Sequence, residues 1–410
     1  MSGAGWRERW PALAHGSFRY YWAARFLSRF TVQIVSVAVG WQVYDTTRDP
    51  LDLGLIGLVQ FLPSLLLVLV TGVAADRFGR RTIMAVSLLA QGACAVALLI
   101  LSIGGLGAMA PVFLVLACFG VARAFFNPAS SSLVANLVPE HELAGAIALN
   151  SASGQIATIC GPVAGGLLYG LSAEAAYGTA ISLFALASLA ILRVERPVQK
   201  NTREPVHLTT VLAGFRYVWS EKVVLGAVSL DLFAVLLGGA VALLPVYARD
   251  ILELGPWGLG LLRAGPGIGA LLVGVYLTTS PIRDHAGSIL LVFVGGFGLF
   301  TTIFGLSTVA WLSILCLVAI GACDMVSVFV RETLVQLWTP DALRGRVNAV
   351  NMVFIGASNE LGEFRAGVTA ALIGTVGAVV AGGIGTMAVA ALWVRLFPEL
   401  RATRHLHGRH

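Results

Sequence analysis

The sequence predicts an all-α membrane protein, with twelve transmembrane helices in two pseudo-symmetric six-helix bundles. Three observations carry this reading: the composition, the spacing of long apolar runs, and an internal repeat. Hydrophobic residues make up 57% of the 410 residues and charged residues only 12%, about half the roughly 25% of soluble domains. Mean hydropathy is +0.85. So few charges cannot cover the surface of a soluble protein this long, so most of that surface faces lipid. Disorder, a secreted disulfide scaffold and a soluble enzyme are excluded together. The basic excess, 27 Lys plus Arg against 21 Asp plus Glu, lies in short clusters between apolar runs. That is the pattern of loops anchoring membrane helices, not of a nucleic-acid surface.

A span needs about 20 mostly apolar residues. Runs of this kind fall at 18–41, 53–74, 82–102, 110–127, 146–170 and 175–193, then at 223–247, 257–279, 288–306, 309–329, 346–371 and 375–396. The first run is long enough for a signal-anchor helix, and no cleavable leader is visible. Short polar turns separate the runs except at 194–221, a polar linker whose later part, Leu208 to Trp219, has the pattern of an amphipathic surface helix. The chain thus divides into an N-terminal bundle (1–193), a cytoplasmic linker (194–221), a C-terminal bundle (222–396) and a cytoplasmic tail (397–410). Cys94, Cys118, Cys160, Cys316 and Cys323 all lie in apolar runs without metal-ligand spacing and read as small hydrophobes.

The two halves repeat one another. Gly57-Leu58-Val59-Gln60 followed by Pro63 matches Gly260-Leu261-Leu262-Arg263 followed by Pro266, at an offset of 203. Leu133-Val134 and Pro139-Glu140 match Leu334-Val335 and Pro340-Asp341 at 201, and Gly145 matches Gly345. Nearly one offset at separate places marks a duplicated bundle. With the amino terminus inside, the cytoplasmic segments hold 20 Arg and Lys and the opposite face two, Arg48 and Arg249. This bias predicts that both termini are cytoplasmic.

Nine charges fall inside the spans: Arg25, Arg29, Arg123, Asp231, Arg263, Asp324, Glu360, Glu363 and Arg365. At about 2.5–3.5 kcal/mol each on insertion scales, nine facing lipid would cost roughly 20–30 kcal/mol, above the usual net stability of about 5–15 kcal/mol. They are expected to face a wet cavity or one another. Arg25, Arg29 and Gln33 recur every four residues along one stripe of the first helix, and Asn359 and Glu363 are four apart in the eleventh, with Glu360 beside them. Arg365 points off that stripe. The first half carries only cations, and all four acids lie in the second; at the repeat offset Arg123 corresponds to Asp324. Arg25, Arg29, Gln33, Arg123, Asp231, Arg263, Asp324, Asn359, Glu360 and Glu363 are therefore the candidate lining of a substrate and proton cavity. Ion pairs across that cavity would lock one conformation until an acid is protonated. The alternative is pairing within one half. No histidine falls in a span, so carboxylates would carry any proton.

The turn after the second span reads Gly72-Val73-Ala74-Ala75-Asp76-Arg77-Phe78-Gly79-Arg80-Arg81. It resembles the loop signature G-x-x-x-D-[RK]-x-G-R-[RK] of the major facilitator superfamily without a mismatch. The resemblance implies the major facilitator fold and a cytoplasmic gate built on Gly72, Asp76, Arg77, Gly79, Arg80 and Arg81. The matching loop of the second half keeps only Arg283, in the place of Arg80. The fifth span carries Gly161-Pro162-Val163-Ala164-Gly165-Gly166. This is similar to the core of the superfamily's exporter signature, with Ala157 where its first glycine is expected. Gly161, Pro162, Gly165 and Gly166 then form an exporter-type packing motif. The superfamily's R-x-x-Q-G motif is absent, so no proton-coupling role passes to Arg123 through it.

Phe126-Asn127-Pro128-Ala129, Leu244-Pro245-Val246-Tyr247-Ala248, Gly345-Arg346-Val347-Asn348 and Ser358-Asn359-Glu360-Leu361-Gly362-Glu363 are similar to the bacterial branch that holds enterobactin exporters and drug-efflux proteins. The resemblance covers nearly the whole chain. It implies a secondary active transporter of a bacterial plasma membrane, exporting a small amphipathic metabolite, siderophore or drug against a proton gradient by alternating access. A proton-coupled uptake symporter is the alternative. The expected partners are a small-molecule cargo and the lipid bilayer, with no nucleic acid, and the expected state is a monomer. No cofactor or metal is expected, the proton gradient being the driving force. No metal cluster, serine nucleophile elbow or nucleotide loop points to an enzyme.

Overall fold

The computed structural model describes residues 10–67, 70–71, 74, 78–105, 107–195, 208–280, 282 and 284–403. Six long helices come first: α1 (Gly16–Thr47), α2 (Pro50–Leu66), α3 (Arg80–Ile103), α4 (Ala110–Leu133), α5 (Leu143–Leu171) and α6 (Ala173–Leu192). The linker helix α7 (Leu208–Ser220) leads to α8 (Lys222–Gly238), α9 (Gly255–Thr279), α10 (Ala286–Leu306), α11 (Ala310–Trp338), α12 (Asp341–Ile373) and α13 (Thr375–Leu396), with a short α14 (Pro398–Ala402) behind them. Ten are long and apolar enough to cross a membrane, with α2 a shorter apolar helix. The charge-bearing α12 completes the twelve. The all-α, twelve-helix reading is met.

The chain forms two compact units. The first comprises residues 1–46 and 59–205, the second 47–58 and 206–410, so α2 begins in the second unit and ends in the first. In the first unit α1, α3 and α6 are joined by a polar clamp. Tyr177 Oη donates to Gln42 Oε1 at 2.6 Å, and Gln42 Nε2 donates to Ser102 Oγ at 2.7 Å. The core of the second unit is built by Val223, Ala227 and Leu230 of α8 with Leu290, Val294, Val330, Leu334 and Trp393. The start of α2 also belongs there because Gly54 lets its backbone approach α12. A Cβ at Gly54 would stand 3.0 Å from the Phe364 carbonyl oxygen.

Equivalent glycines seat equivalent helix pairs. In the first unit Gly120 of α4 lies directly on the backbone of Gln60 in α2, and in the second Gly321 of α11 lies on the backbone of Pro266 in α9. The two glycines are 201 residues apart, the repeat offset. Any side chain at either position would meet main-chain atoms that cannot rotate away.

Three features depart from the sequence-based reading. The seventh span does not run unbroken to 247. It stops at Gly238, resumes as a three-residue turn at Val241–Leu243, and passes through Leu244–Val246 into a π-helical Tyr247–Ile251. A Gly-Gly pair ends α8, and a π-turn is a local insertion into the helical ladder. The tenth span continues to Trp338, nine residues past its expected end, which brings Arg331 into a helix instead of a loop. The linker helix is present, but its inner face docks on protein. Phe215 stacks on Phe354 at 5.9 Å, and Tyr217 Oη donates to the Trp338 carbonyl at 2.5 Å.

Candidate functional site

Three groups of polar side chains stand out. The first is a cavity of about 280 Å³ in the first unit, lined by Arg25, Ser28, Arg29 and Gln33 of α1, Gln91 of α3, Arg123, Phe126, Asn127 and Ser130 of α4, and Thr158 of α5. The α1 stripe of Arg25, Arg29 and Gln33 therefore meets Arg123 in one hollow, and no acid is among its described lining residues. Two of the guanidinium groups are tethered. Arg25 Nη1 donates to Tyr21 Oη at 3.0 Å and to Ser130 Oγ at 3.1 Å, with Tyr21 Oη in turn donating to the Ser130 carbonyl at 2.8 Å. Arg123 Nη1 donates to Gln60 Oε1 at 3.4 Å. Arg29 is the most open of the three and lies in the fields of both Arg25 and Arg123. Gln91 is fully buried, and its Oε1 has no hydrogen-bond partner among the described residues.

The exporter-type motif explains how this cavity is framed. A Cβ at Gly161 would lie 2.6 Å from Gln33 Cβ, and one at Gly165 would lie 2.9 Å from Ile34 Cα. These glycines seat α5 against the α1 stripe. Pro162 and Gly166 are buried in the same helix.

The second group lies in the second unit. Asp231 of α8 and Asp324 and Ser327 of α11 line a narrow crevice with Ala234, Val235, Val294 and Phe297. Asp231 is ion-paired to Arg331 Nη1, with the two side chains 9% and 3% exposed. Its partner in the structure thus belongs to its own half, the alternative that the sequence left open. Arg331 also lies 3.8 Å from Glu332, which accepts a hydrogen bond from Asn351 Nδ2 at 2.8 Å.

The third group surrounds Gly57, also in the second unit. A Cβ there would be 3.0 Å from one carboxylate oxygen of Glu360 and 3.0 Å from one of Glu363. Glu363 is the acid whose field reaches Arg263 of α9. Asn359 is exposed beside them. Arg365 serves the backbone instead. Its Nε donates to the Leu236 carbonyl at 2.9 Å and its Nη2 to the Leu237 carbonyl at 2.5 Å. It caps the broken end of α8, where freed carbonyls and the negative helix terminus attract a cation.

Of the gate residues, Gly72, Asp76 and Arg77 lie outside the described residues, as does Arg283. Gly79 has φ +82°, a left-handed conformation that favours glycine, and it starts α3. Arg80 Nη1 donates to the Ser132 carbonyl at 3.0 Å, and Arg81 donates to the carbonyls of Ile191 (3.3 Å) and Leu192. The two signature arginines thus close over the last turns of α4 and α6.

Sequence reasoning missed Arg331, Ser327 and Gln91. Arg331 was countable, since it stands seven residues after Asp324 on one helical face. Ser327 and Gln91 carry no sequence signal among so many polar residues of apolar spans.

The family model for transmembrane secretion effectors matches residues 8–406. The chain is 29% identical over 407 residues to the enterobactin exporter EntS of Shigella boydii serotype 18, covering 95% of this chain and 94% of that protein. EntS of Escherichia coli O81 gives the same identity and coverage. Among solved structures, an inward-facing bacterial homolog of the human lysosomal transporter Spinster superposes with a TM-score of 0.72 at 13% identity, covering 94% of this chain and 97% of that one. A POT family transporter in complex with a thioalcohol-conjugated peptide superposes at 0.71 and 11%, covering 93% and 96%. These two likenesses concern the fold. With the family match spanning nearly the whole chain, the protein belongs to the transmembrane secretion effectors of the major facilitator superfamily, and is a multi-pass membrane transporter rather than an enzyme.

Proposed function

We propose that this chain is a proton-coupled exporter, an antiporter that moves a small amphipathic metabolite, siderophore or drug outward by alternating access. It works in a bacterial plasma membrane with both termini cytoplasmic. The single observation that carries the reading is the cavity of the first unit, with Arg25, Arg29 and Arg123 on its walls and no acid among its described lining. Three cations in one hollow repel one another, and an anionic group entering it relieves that repulsion while accepting forked N–H donors. Phe126 offers an apolar surface to the rest of an amphipathic cargo. The protons are assigned to carboxylates of the second unit, Asp231, Asp324, Glu360 and Glu363, because no histidine lies in a span. Export is supported by the name of the relatives, the exporter EntS, and by the Gly161–Gly166 motif.

Inverted membrane vesicles test the direction. With an acid interior, an exporter accumulates cargo, and a panel of aromatic carboxylates against neutral analogues reads the preference for anions. Accumulation only when the gradient is reversed would establish uptake symport instead. Replacing Arg29 or Arg123 with Gln is expected to abolish the preference for anions over neutral analogues; an unchanged preference would remove the cavity from the transport path.

A further inference from the structure

The crevice of the second unit has a charge count that is out of balance by one. Asp231 and Asp324 bring two carboxylates and Arg331 brings one guanidinium. The remaining walls, Ala234, Val235, Val294 and Phe297, are hydrocarbon. Ser327 is 3% exposed and lines the same crevice, yet its Oγ has no hydrogen-bond partner among the described residues. An unused hydroxyl on the wall of a narrow, mostly apolar hollow calls for a donor or acceptor that arrives from elsewhere.

The groups facing the crevice can be followed element by element. From α8 comes Asp231, and from α11 come Asp324 and Arg331. Glu332 stands 3.8 Å from Arg331 with its side chain 36% exposed. It is held by Asn351 of α12, is partly exposed, and its field reaches Asp231. From α10 come Val294 and Phe297, and from α9, which carries Arg263 and packs on α11, no described residue joins the lining. From α13, Thr386 donates to the Ala234 carbonyl at 3.1 Å and Trp393 rests on Phe233, both uncharged. Arg331 neutralises one carboxylate. The second, half-buried, has no cation to match it among the described residues, and the hydrocarbon around it penalises its charge. The free space is about 10 Å³, near the minimum for a single water. A bare sodium ion would find only Asp324, Ser327 and an Asp231 already paired to Arg331, with hydrocarbon for the remaining walls.

We propose that Asp231, Asp324 and Ser327, with Arg331 as a fixed counter-charge, form a site for one proton. The proton resides on Asp324, whose carboxyl O–H donates to Ser327 Oγ, while Arg331 keeps Asp231 ionised. Loading takes the proton from water on one side of the membrane and release returns it to water on the other, and only O–H bonds are made and broken. This rests on the proton-coupled reading and deepens it by choosing one of the four acids and fixing a count of one.

Infrared difference spectroscopy on the full chain in lipid nanodiscs, recorded between high and low pH, reads the site without any transport. The expected result, with the low pH kept above the range where exposed carboxylates titrate, is one protonated-carboxyl carbonyl stretch per chain. It disappears in Asp324→Asn and survives in Glu360→Gln and Glu363→Gln. Arg331→Gln is expected to double it, since two carboxylates then lack a cation. If that variant does not fold, the double variant Asp231→Asn/Arg331→Gln, which removes both members of the ion pair, is expected to retain a single band. A band that persists in Asp324→Asn, or that sodium abolishes at constant pH, would overturn the site. Acid-driven export that continues undiminished in Asp324→Asn also overturns it while leaving the coupling reading intact. The predicted bands without any acid-driven transport uphold the site and overturn the coupling.

Discussion

The cavity of the first unit and the crevice of the second occupy related places in a duplicated fold, and their chemistry is opposite. One is a hollow of about 280 Å³ walled by three arginines without a described acid. The other leaves about 10 Å³ beside two aspartates, one of them tied to a buried arginine. At the repeat offset of 201, Arg123 corresponds to Asp324 and Ser130 to Arg331. Ser130, which accepts from Arg25 in the first unit, is thus replaced in the second by a cation that binds an acid. Crowded like charges are tolerable where water can solvate them, whereas in hydrocarbon each must be matched. On the proposed reading, the roomier site takes a diffusible anion and the narrow one a charge as small as a proton.

The largest effect that could break this contrast is expected at Arg331. Arg331→Ala leaves Asp231 buried without its partner and should destabilise the protein by about 3–5 kcal/mol. Thermal unfolding of the full chain in nanodiscs checks it, and a neutral result would mean that the crevice is wetter than its walls imply. Arg365→Gln removes two charge-assisted bonds from the end of α8 and is expected to cost about 1.5–3 kcal/mol, with faster amide exchange confined to residues near Gly238. Gly120→Ala and Gly321→Ala test the shared scaffold rather than the sites. Each presses a methyl into a facing backbone and should cost about 1–3 kcal/mol, by similar amounts, if the two units are built alike.

Arg29→Ala provides the counterpart to Arg331. Its side chain is open to the cavity, so unfolding should shift within about 0.5 kcal/mol even as anion transport falls. A large loss of stability would show that the cavity is structural. The smallest effect is expected at the exposed pair of Lys222 and Glu399, 3.1 Å apart. Hydrogen bonds from its own backbone N–H and from Lys222 lower the Glu399 pKa below its usual 4.5. Whatever the pair contributes is present above the usual glutamate value and lost as pH falls through the lowered one. Solvent screening keeps it small. Lys222→Ala should leave the unfolding temperature unchanged at neutral pH.

Much of this architecture was legible in the sequence. Span positions follow from hydropathy, and the repeat follows from Gly57 to Pro63 matched against Gly260 to Pro266. The α1 stripe of Arg25, Arg29 and Gln33 could be read because helical periodicity brings every fourth residue to one face. Arg331 was placed outside the span because a charge close to the end of an apolar run looks like a loop, whereas the helix runs on past it with Leu334 and Val335 packed in the core. Arg365 resisted interpretation for a related reason. Its partners are backbone carbonyls exposed by a break in α8, and main-chain breaks at Gly238–Gly239 leave no mark on residue spacing. Gln91 and Ser327 are ordinary spans' polar residues until their surroundings are known.

The paired seams at Gly120 and Gly321 carry a historical corollary. A six-helix ancestor copied in tandem passes its main-chain contacts to both descendants, and neither can exchange its seam glycine without prising two helices apart. Projecting side chains inherit no such constraint. The two copies accordingly keep the same glycine at the seam and differ in the sign of a projecting charge, Arg123 in one and Asp324 in the other.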